Sequence, residues 1–279
     1  MKRLIPYACL GFLVQPALAA CPDVSLMQNA ARGWLAGQRV PDPLVWSMAD
    51  ARCAYDSFRG VLQAQMGPPV GLRIGFATTD AQRRFGIDQP IVGVLFAPML
   101  VGDGTRLSLN GSRNPRYKAD LAFTVGSRAI MAATTREEVL ASLRDVRPFI
   151  ELPDVALPPD VSARAPLIAA YGGMPWRGAL GKPLPIADLA DPIADLGAMQ
   201  VVLTVDGRAV ASARGAALTG HPLDVLLWLV RQGGYDLAEG SVVAIGTFSG
   251  LGPALPGQRL QADYQLGGQA MRATVSLTR

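Results

Sequence analysis

The sequence has little of what several functional classes require. Its 279 residues include one histidine and three cysteines, and no cluster of these residues has the spacing of a zinc site. Only 17% of the residues are charged and the formal net charge is +4; without a basic cluster, this argues against a nucleic-acid-binding surface. Beyond the N-terminus, no apolar run approaches the roughly twenty residues of a membrane span. Half of the residues are hydrophobic, which predicts a folded core and not disorder.

Common catalytic motifs are missing as well. Neither Ser57 nor Ser249 lies in the Gly-x-Ser-x-Gly motif of serine hydrolases. Gly250-Leu-Gly252 is followed by a proline-containing loop and not by a helix, so it does not match a dinucleotide-binding fingerprint. The single histidine, His221, could be a general base or a metal ligand. Its position in Gly-His-Pro-Leu, just before an apolar helix, favours a capping or packing role.

The first twenty residues have the pattern of a secretory signal peptide. A positive start, Met1-Lys-Arg3, precedes the apolar run Leu4 to Val14, and Ala17-Leu-Ala19 supplies a small-x-small cleavage site. The run is too short for a membrane anchor, which needs roughly twenty apolar residues. We therefore predict an exported, periplasmic protein and exclude residues 1–20 from the fold.

Two cysteines remain after such a cleavage, and they leave two alternatives open. Leu18-Ala-Ala-Cys21 resembles a bacterial lipobox, in which Cys21 would be lipidated and the protein would be anchored to a membrane. Alternatively, Cys21 and Cys53 form a disulfide, as a single cysteine pair in an exported chain commonly does. A lipoprotein usually has a polar tether after its cysteine, whereas a helix is predicted to begin here almost at once. This difference favours the disulfide.

Residues 21–67 are predicted to form an N-terminal helical segment. Apolar side chains recur every three or four residues over 23–39 and again over 47–65, which is the period of an amphipathic helix. Gly67-Pro-Pro69 then breaks the pattern. We place the boundary of the main domain there, and this domain extends over residues 68–279.

The main domain is predicted to be mostly β-structure. Asp206-Gly207 and Gly267-Gly268 are hairpin turns between alternating segments. Thr135-Arg-Glu-Glu138 is a capping box, and the helix that it begins is predicted to carry Leu143 and Val146 on its inner face. Together these patterns predict an α+β fold, with a mixed, mainly antiparallel sheet arranged as a roll or sandwich.

The stretch from Asn114 to Val125 is the most informative strand. Its alternation places an apolar row on one face and Lys118 and Asp120 on the other. Glu151 is a lone acid in a second apolar run, Pro148 to Pro153, and a buried carboxylate must be paired or bound to a metal. A surface strand with ordinary charges fits the same pattern, so both interpretations stay open on these residues alone.

Seven short motifs follow one another over roughly residues 45–277. They are Gly71-Leu-Arg-Ile-Gly75, Phe85-Gly-Ile-Asp-Gln-Pro90, Gly93-Val-Leu-Phe-Ala-Pro-Met99 with Gly102-Asp103, Asn114-Pro-Arg-Tyr-Lys-Ala-Asp120, Pro148-Phe-Ile-Glu151, Gly220-His-Pro-Leu223, and Gly246 with the loop to Gly257. Each motif is weak alone. In this order they resemble the fumarylacetoacetate hydrolase superfamily, most closely its 2-keto-4-pentenoate hydratase branch, which also contains 4-oxalocrotonate decarboxylases.

The resemblance implies a fold, a reaction and a site. The fold would be the fumarylacetoacetate hydrolase C-terminal-like roll, and the reaction would add water to, or decarboxylate, a small unsaturated 2-keto acid. Mg²⁺ or Mn²⁺ would be held by carboxylates, and by resemblance Asp120 and Glu151 are at metal positions. Arg73 and Lys118 are the candidate catalytic residues, and Arg73 and Gly246 are implied substrate contacts. The resemblance also implies a homo-oligomer, with a small carboxylate or 2-keto acid as its ligand.

The sequence departs from the family pattern at the positions that carry the chemistry. Lys118 is where the first metal carboxylate is expected, and Arg73 is where a proton-transferring lysine is expected. Ile91 and Ile245 replace an acid and a threonine. A cation at a ligand position repels a divalent metal, and a guanidinium is a poor acid or base. Lys118 could instead act as an internal counter-ion in the metal's place, leaving Arg73 to bind a carboxylate bidentately.

Three functions are therefore compatible with the sequence. The first is an exported hydratase-like enzyme that acts on 2-keto-4-pentenoate-type acids. The second is a catalytically degenerate relative that binds a small carboxylate. The third is a structural protein of the cell envelope. Export is unusual for this branch, whose catabolic enzymes are expected in the cytoplasm.

Overall fold

The computed structural model describes residues 21–279. The predicted signal peptide, residues 1–20, lies outside the described residues and stays a prediction. The α-helices are α1 (Val24–Leu35), α2 (Met48–Met66), α3 (Thr79–Phe85), α4 (Arg136–Ala141), α5 (Ala165–Ala169), α6 (Pro192–Ala198) and α7 (Pro222–Gln232). The strands are β1 (Pro69–Gly75), β2 (Ile91–Phe96), β3 (Leu100–Gly102), β4 (Thr105–Ser108), β5 (Arg116–Val125), β6 (Leu143–Leu152), β7 (Arg177–Leu180), β8 (Leu184–Pro185), β9 (Gln200–Val205), β10 (Arg208–Arg214), β11 (Val242–Ile245), β12 (Gly252–Pro253), β13 (Arg259–Leu266) and β14 (Gln269–Thr278).

Strand pairing confirms the predicted α+β class with mainly antiparallel β-structure. A nine-stranded sheet follows the path β2-β1-β11-β5-β6-β7-β3, with β12 added to β5 and β8 added to β6. A five-stranded sheet has the order β10-β9-β13-β14-β4. The pairs β1–β11, β3–β7 and β4–β14 are parallel. Because β13 and β14 contact β6, the two sheets pack against each other.

β5 is buried on both faces, so the interpretation of this stretch as a surface strand is wrong. Its apolar row, Ala119, Leu121, Phe123 and Val125, lies in the main hydrophobic core. On the opposite face, Ala122 packs in a smaller cluster that is formed by Leu95, Ala122, Phe149 and Ala244. Lys118 and Asp120 share that second face and are also buried. Polar groups in such a place must find partners inside the protein.

The capping box at the start of α4 is confirmed, but the helix is shorter than predicted. The Thr135 side chain accepts a hydrogen bond from the Glu138 backbone, and the Glu138 carboxylate accepts one in return. α4 ends at Ala141, and Leu143 and Val146 belong to β6, where they pair with Val125 and Phe123 of β5. Pairing with a central strand therefore overrides the helical spacing of these apolar residues.

The N-terminal helices are tied to each other and to the β-structure. α1 packs on α2, and α2 also contacts α5 and β2. Cys21 and Cys53 form a disulfide with their Cα atoms 5.5 Å apart, which joins the segment that precedes α1 to the first half of α2. Within residues 21–279, no helix is both long enough and apolar enough to cross a bilayer.

Arg113 fastens α1 to the β-structure. Its Nη1 lies 2.8 Å from Asp154 Oδ2, and its Nε donates a hydrogen bond to the Gln38 carbonyl at 2.8 Å. The guanidinium carbon also lies 5.5 Å from the centre of the Trp34 ring, a cation–π distance. Asp154 is fully buried, so water screens its ion pair with Arg113 only weakly.

We predict that Arg113→Met lowers the free energy of unfolding by about 3 kcal/mol or more, because the Asp154 carboxylate stays buried without its cation. Urea unfolding followed by circular dichroism measures this change. Arg83→Met is the matched control, since Arg83 and its partner Asp80 are 76% and 93% exposed. Its expected effect is below about 0.5 kcal/mol. Equal effects of the two substitutions would contradict the anchoring role of Arg113.

Candidate functional site

The register of β5 and β6 brings three predicted site residues together. In this antiparallel pair, Lys118 lies directly opposite Glu151, and Asp120 lies opposite Phe149. Residues two apart on a strand, and residues paired across two strands, share a face of the sheet. Lys118, Asp120 and Glu151 therefore point to the same side, as the alternation of the sequence predicts for the first two.

The Lys118 ammonium lies between the two carboxylates. Its Nζ donates a hydrogen bond to Asp120 Oδ2 and lies 2.6 Å from Glu151 Oε2. The Lys118 side chain is 4% exposed and both carboxylate side chains are 1% exposed. Water therefore screens these charges far less than it screens a surface ion pair.

Arg73 is a second cation at Glu151. It reaches the carboxylate from β1, two strands away from β5 in the sheet. Its Nη2 donates a hydrogen bond to Glu151 Oε2 at 3.1 Å, and its Nε lies 2.9 Å from Oε1 without the alignment of a hydrogen bond. The guanidinium thus faces both oxygens of a carboxylate that belongs to the same chain. We name Arg73, Lys118, Asp120 and Glu151 the charged cluster.

Two glycines make room for the charged cluster. A Cβ atom on Gly246 would overlap the Asp120 carboxylate, and a Cβ atom on Gly173 would overlap Arg73 Nη1. Gly173 also has a φ of +74°, which favours glycine independently of the available space. Gly246, which the resemblance implies as a substrate contact, is therefore placed against Asp120 in this structure.

Asp120 is held in place by the second sheet. Its backbone carbonyl accepts a hydrogen bond from the Tyr264 hydroxyl, and Tyr264 lies on β13 and is fully buried. Its side-chain atom Oδ1 has no hydrogen-bond partner among the described residues. One oxygen of Asp120 is thus bound by Lys118, and the other is enclosed without a donor.

The environment separates the pKa values of the two carboxyl groups. Burial, together with the negative charge of Glu151, raises the pKa of Asp120 to about 7 against the opposing effect of Lys118. Burial also disfavours ionised Glu151, but the charges of Arg73 and Lys118 outweigh it and hold the pKa of Glu151 at about 2. Near neutral pH, Glu151 is therefore ionised and Asp120 is partly protonated.

The residues present do not fit the divalent metal that the family resemblance implies. A metal on the oxygens of Asp120 and Glu151 would lie close to the Lys118 ammonium, which contacts the same two carboxylates. At roughly 4 Å and an effective dielectric constant of about 20, the repulsion between these charges is on the order of 8 kcal/mol. Within the described residues, no group of three or more His, Cys, Asp or Glu residues could hold a metal ion. In this structure the Lys118 ammonium contacts both of these carboxylates.

The other predicted residues lie outside the charged cluster. His221 caps α7, where its Nδ1 accepts a hydrogen bond from the Leu223 backbone at 3.1 Å and its Nε2 lies 2.8 Å from the Ile193 carbonyl. Both ring nitrogens are therefore occupied, which confirms the capping interpretation. Cys21 and Cys53 form the disulfide of the N-terminal segment.

Sequence reasoning missed Tyr264, Gly173 and the placement of Ile91. The Tyr264 contact joins residues 144 positions apart, and such a distant contact leaves no local pattern. Ile91 lies beside Arg73. Both side chains are close to Gly75: a Cβ atom placed on that glycine would be 2.7 Å from Arg73 Nη1 and 3.3 Å from Ile91 Cγ1. The replacement of the expected acid by Ile91 is visible in the sequence, but its position next to the guanidinium requires the fold.

Comparison with curated proteins finds hydratases and a decarboxylase as relatives. The chain is 28% identical over 200 residues to the TodF product hydratase of Pseudomonas putida, covering 67% of this chain and 68% of the relative. It is 29% identical over 188 residues to a 2-keto-4-pentenoate hydratase of Burkholderia vietnamiensis, with 66% and 68% covered. A 4-oxalocrotonate decarboxylase from a Pseudomonas species is 26% identical over 205 residues, with 70% and 75% covered. No family model matches the chain.

Solved structures share the fold. The 4-oxalocrotonate decarboxylase of Pseudomonas putida G7, complexed with magnesium and adipate, superposes with a TM-score of 0.80 at 21% identity, covering 91% of this chain and 96% of that one. The fumarylpyruvate hydrolase of Pseudomonas aeruginosa, in complex with Mn²⁺ and pyruvate, gives a TM-score of 0.58 at 17% identity, with 74% and 88% covered. These comparisons confirm the resemblance to the hydratase branch and to the fumarylacetoacetate hydrolase fold.

We predict that Asp120→Asn removes a loss of stability that the wild type shows between about pH 4 and pH 7. In the folded state the pKa of Asp120 is about 7, whereas its ordinary value is 3.8. The folded state therefore binds more protons in this window, and its stability falls as the pH rises. Glu151 contributes below this window, because its lowered pKa adds stability that is lost as the pH falls towards 2. Urea unfolding across the range measures both effects.

His221 titrates in the same range with the opposite sign, since burial lowers its pKa from 6.5 and stability is then lost as the pH falls. It is present in both proteins, as are Lys118, Arg73 and Glu151, which face Asp120. The difference in free energy of unfolding between wild type and Asp120→Asn therefore cancels His221 and reports the titration of Asp120 together with its coupling to Glu151. A difference that stays constant with pH would show that Asp120 does not titrate in the folded state.

Proposed function

Because the chain has the fumarylacetoacetate hydrolase fold and shares sequence with 2-keto-4-pentenoate hydratases, we propose that it is an exported, catalytically degenerate relative that binds a small carboxylate and holds no divalent metal. At the level of the family, its relatives are hydratases and a decarboxylase, which are lyase-type enzymes.

The observation that carries the proposal is the position of the Lys118 ammonium. It contacts Asp120 and Glu151 on the side where they could otherwise share a cation. Arg73, at the position of the expected proton-transferring lysine, donates a hydrogen bond to Glu151, and a guanidinium is a poor general acid or base because it is not deprotonated in proteins. Without a Lewis acid to stabilise an enolate, and with a guanidinium at the position of the proton-transferring lysine, the chain lacks both groups that the resemblance assigns to hydration.

Binding of a small carboxylate is proposed from the ligands of the relatives. Solved structures of this fold are complexed with adipate, acetate and pyruvate. In this chain the cluster arginine and lysine face internal carboxylates, so the cations for a ligand would come from elsewhere on the fold. A purely structural role in the envelope is the alternative if no carboxylate binds.

Export is part of the proposal and is supported by two features. The N-terminal pattern is that of a signal peptide, and the Cys21–Cys53 disulfide suits an oxidising compartment outside the cytoplasm. Lipidation of Cys21 is the alternative, because a lipidated thiol cannot also pair with Cys53. The homo-oligomer implied by the resemblance stays a prediction.

Hydratase activity is the second candidate, and the sequence relatives favour it. We predict that the purified chain shows no Mg²⁺- or Mn²⁺-dependent turnover of 2-hydroxypenta-2,4-dienoate, because Lys118 occupies the position of the metal. Ultraviolet absorbance of the conjugated substrate follows the reaction, and elemental analysis of the same sample measures bound metal. Turnover together with about one equivalent of metal per chain would establish the second candidate and refute our proposal.

We predict that Lys118→Glu creates a Mn²⁺ site that the wild type lacks. The substitution removes the ammonium and places a third carboxylate on the face that Asp120 and Glu151 share, and hard divalent cations prefer such oxygen ligands. Isothermal titration calorimetry with Mn²⁺ measures the gain.

Lys118→Gln is the matched control, because it removes the same charge without adding a carboxylate. Thermal unfolding of both variants tests that they are folded. If the wild type, Lys118→Gln and Lys118→Glu all bind Mn²⁺ equally, then Lys118 does not exclude the metal.

A further inference from the structure

A cavity of about 260 Å³ lies outside the charged cluster, between the start of α2, the start of β2 and the end of α7. We name it the α2–α7 cavity. Cavities of about 150 Å³ hold benzene, so this volume can hold a one-ring molecule with a polar substituent. None of the four residues of the charged cluster lines it.

Part of the wall of the α2–α7 cavity is apolar and aromatic. Met48, Ile91 and Val92 contribute aliphatic surface, and Trp228 and Tyr235 contribute aromatic rings. Flat rings and aliphatic side chains of this kind bury the body of a small conjugated molecule.

The polar edge of the cavity is positively charged. Arg52, Asp56 and Arg59 line it from α2, where residues three and four apart share a face of the helix. Arg59 forms an ion pair with Asp56 at 2.8 Å, while Arg52 makes no ion pair with any residue in the part of the chain described here. Two arginines and one aspartate leave a charge of about +1 at this edge, which suits a monoanion.

The Tyr235 phenol adds a neutral donor to the same edge. Burial raises its pKa against the charges of Arg59 and Arg52, so the hydroxyl keeps its proton near neutral pH. A carboxylate at the arginines could therefore accept a hydrogen bond from Tyr235 as well.

Ile91 and Tyr55 separate the cavity from the charged cluster. Ile91 lines the cavity and also lies beside Arg73. Tyr55 lines the cavity too, and its hydroxyl is fixed as the acceptor of a hydrogen bond from the Val94 backbone at 2.7 Å. A ligand in the cavity would therefore meet apolar surface in the direction of the cluster and charged groups only at the edge formed by α2.

We propose that the α2–α7 cavity binds a small monocarboxylate with an aromatic or conjugated body, and that Arg52 and Arg59 bind its carboxylate. The inference rests on the proposed binding function and assigns it a place and a ligand class. The aromatic walls hold the body of the ligand, and the arginines fix its orientation.

Isothermal titration calorimetry of the purified chain with benzoate tests this site. Benzamide has nearly the same shape without the charge, and acetate has the charge without the ring. We expect benzoate to bind at least about tenfold more tightly than either compound, and Arg52→Gln with Arg59→Gln to weaken benzoate binding at least about tenfold. Arg83→Gln removes an exposed arginine that does not line the cavity and is expected to leave binding unchanged.

Tryptophan fluorescence places the ligand independently of the arginines. Benzoate should change the emission of the wild type and of Trp46→Phe, whose ring is 71% exposed and outside the cavity, but not that of Trp228→Phe. The inference is overturned if benzoate does not bind, if benzamide or acetate binds as tightly, or if the paired arginine substitutions have no effect. Hydratase turnover would refute the proposed loss of catalysis without affecting this result, so the two failures are distinguishable.

Discussion

The structure depends on the neutralisation of two carboxylates that are buried at its centre. Asp120 and Glu151 are almost inaccessible to water, and ionised groups in such a place require a cation. The fold can satisfy this requirement with a bound divalent ion or with a side chain. In this chain the Lys118 ammonium contacts both carboxylates, and Arg73 adds a second positive charge at Glu151. The cation is thus covalently part of the protein, and its presence does not depend on the supply of a metal.

The surrounding structure is shaped around this internal cation. Gly246 and Gly173 leave space for the Asp120 carboxylate and for the Arg73 guanidinium. Tyr264 fixes the backbone of Asp120 from the opposite sheet. Ile91 covers the guanidinium with apolar surface on the side of the α2–α7 cavity. Charged groups that are enclosed in this way are not available to a substrate unless their contacts with one another are broken.

The sequence predicted the class of the fold, the members of the charged cluster and Lys118 as an internal counter-ion, but not the pairing of Arg73 with Glu151, because Arg73 was expected to bind the carboxylate of a ligand. The alternation of β5 identified Lys118 and Asp120 as neighbours on one face, because the period of a strand is local. The resemblance added Glu151 and Arg73 from distant segments. The helical spacing of Leu143 and Val146 was misleading, since strand pairing with β5 overrides local periodicity. The Tyr264 contact could not be predicted, because it depends on how two sheets pack. The α2–α7 cavity is likewise formed by distant elements, and its arginines resemble ordinary surface charges in the sequence.

The central claim is that Lys118 takes the place of a metal between Asp120 and Glu151. The most direct measurement is a crystal structure of the protein soaked in Mn²⁺, with an anomalous difference map calculated at the manganese absorption edge. Our account predicts no anomalous peak at these carboxylates, and electron density for the Lys118 ammonium within hydrogen-bond distance of both. An anomalous peak bound to Asp120 and Glu151, with Lys118 turned away from them, would contradict it.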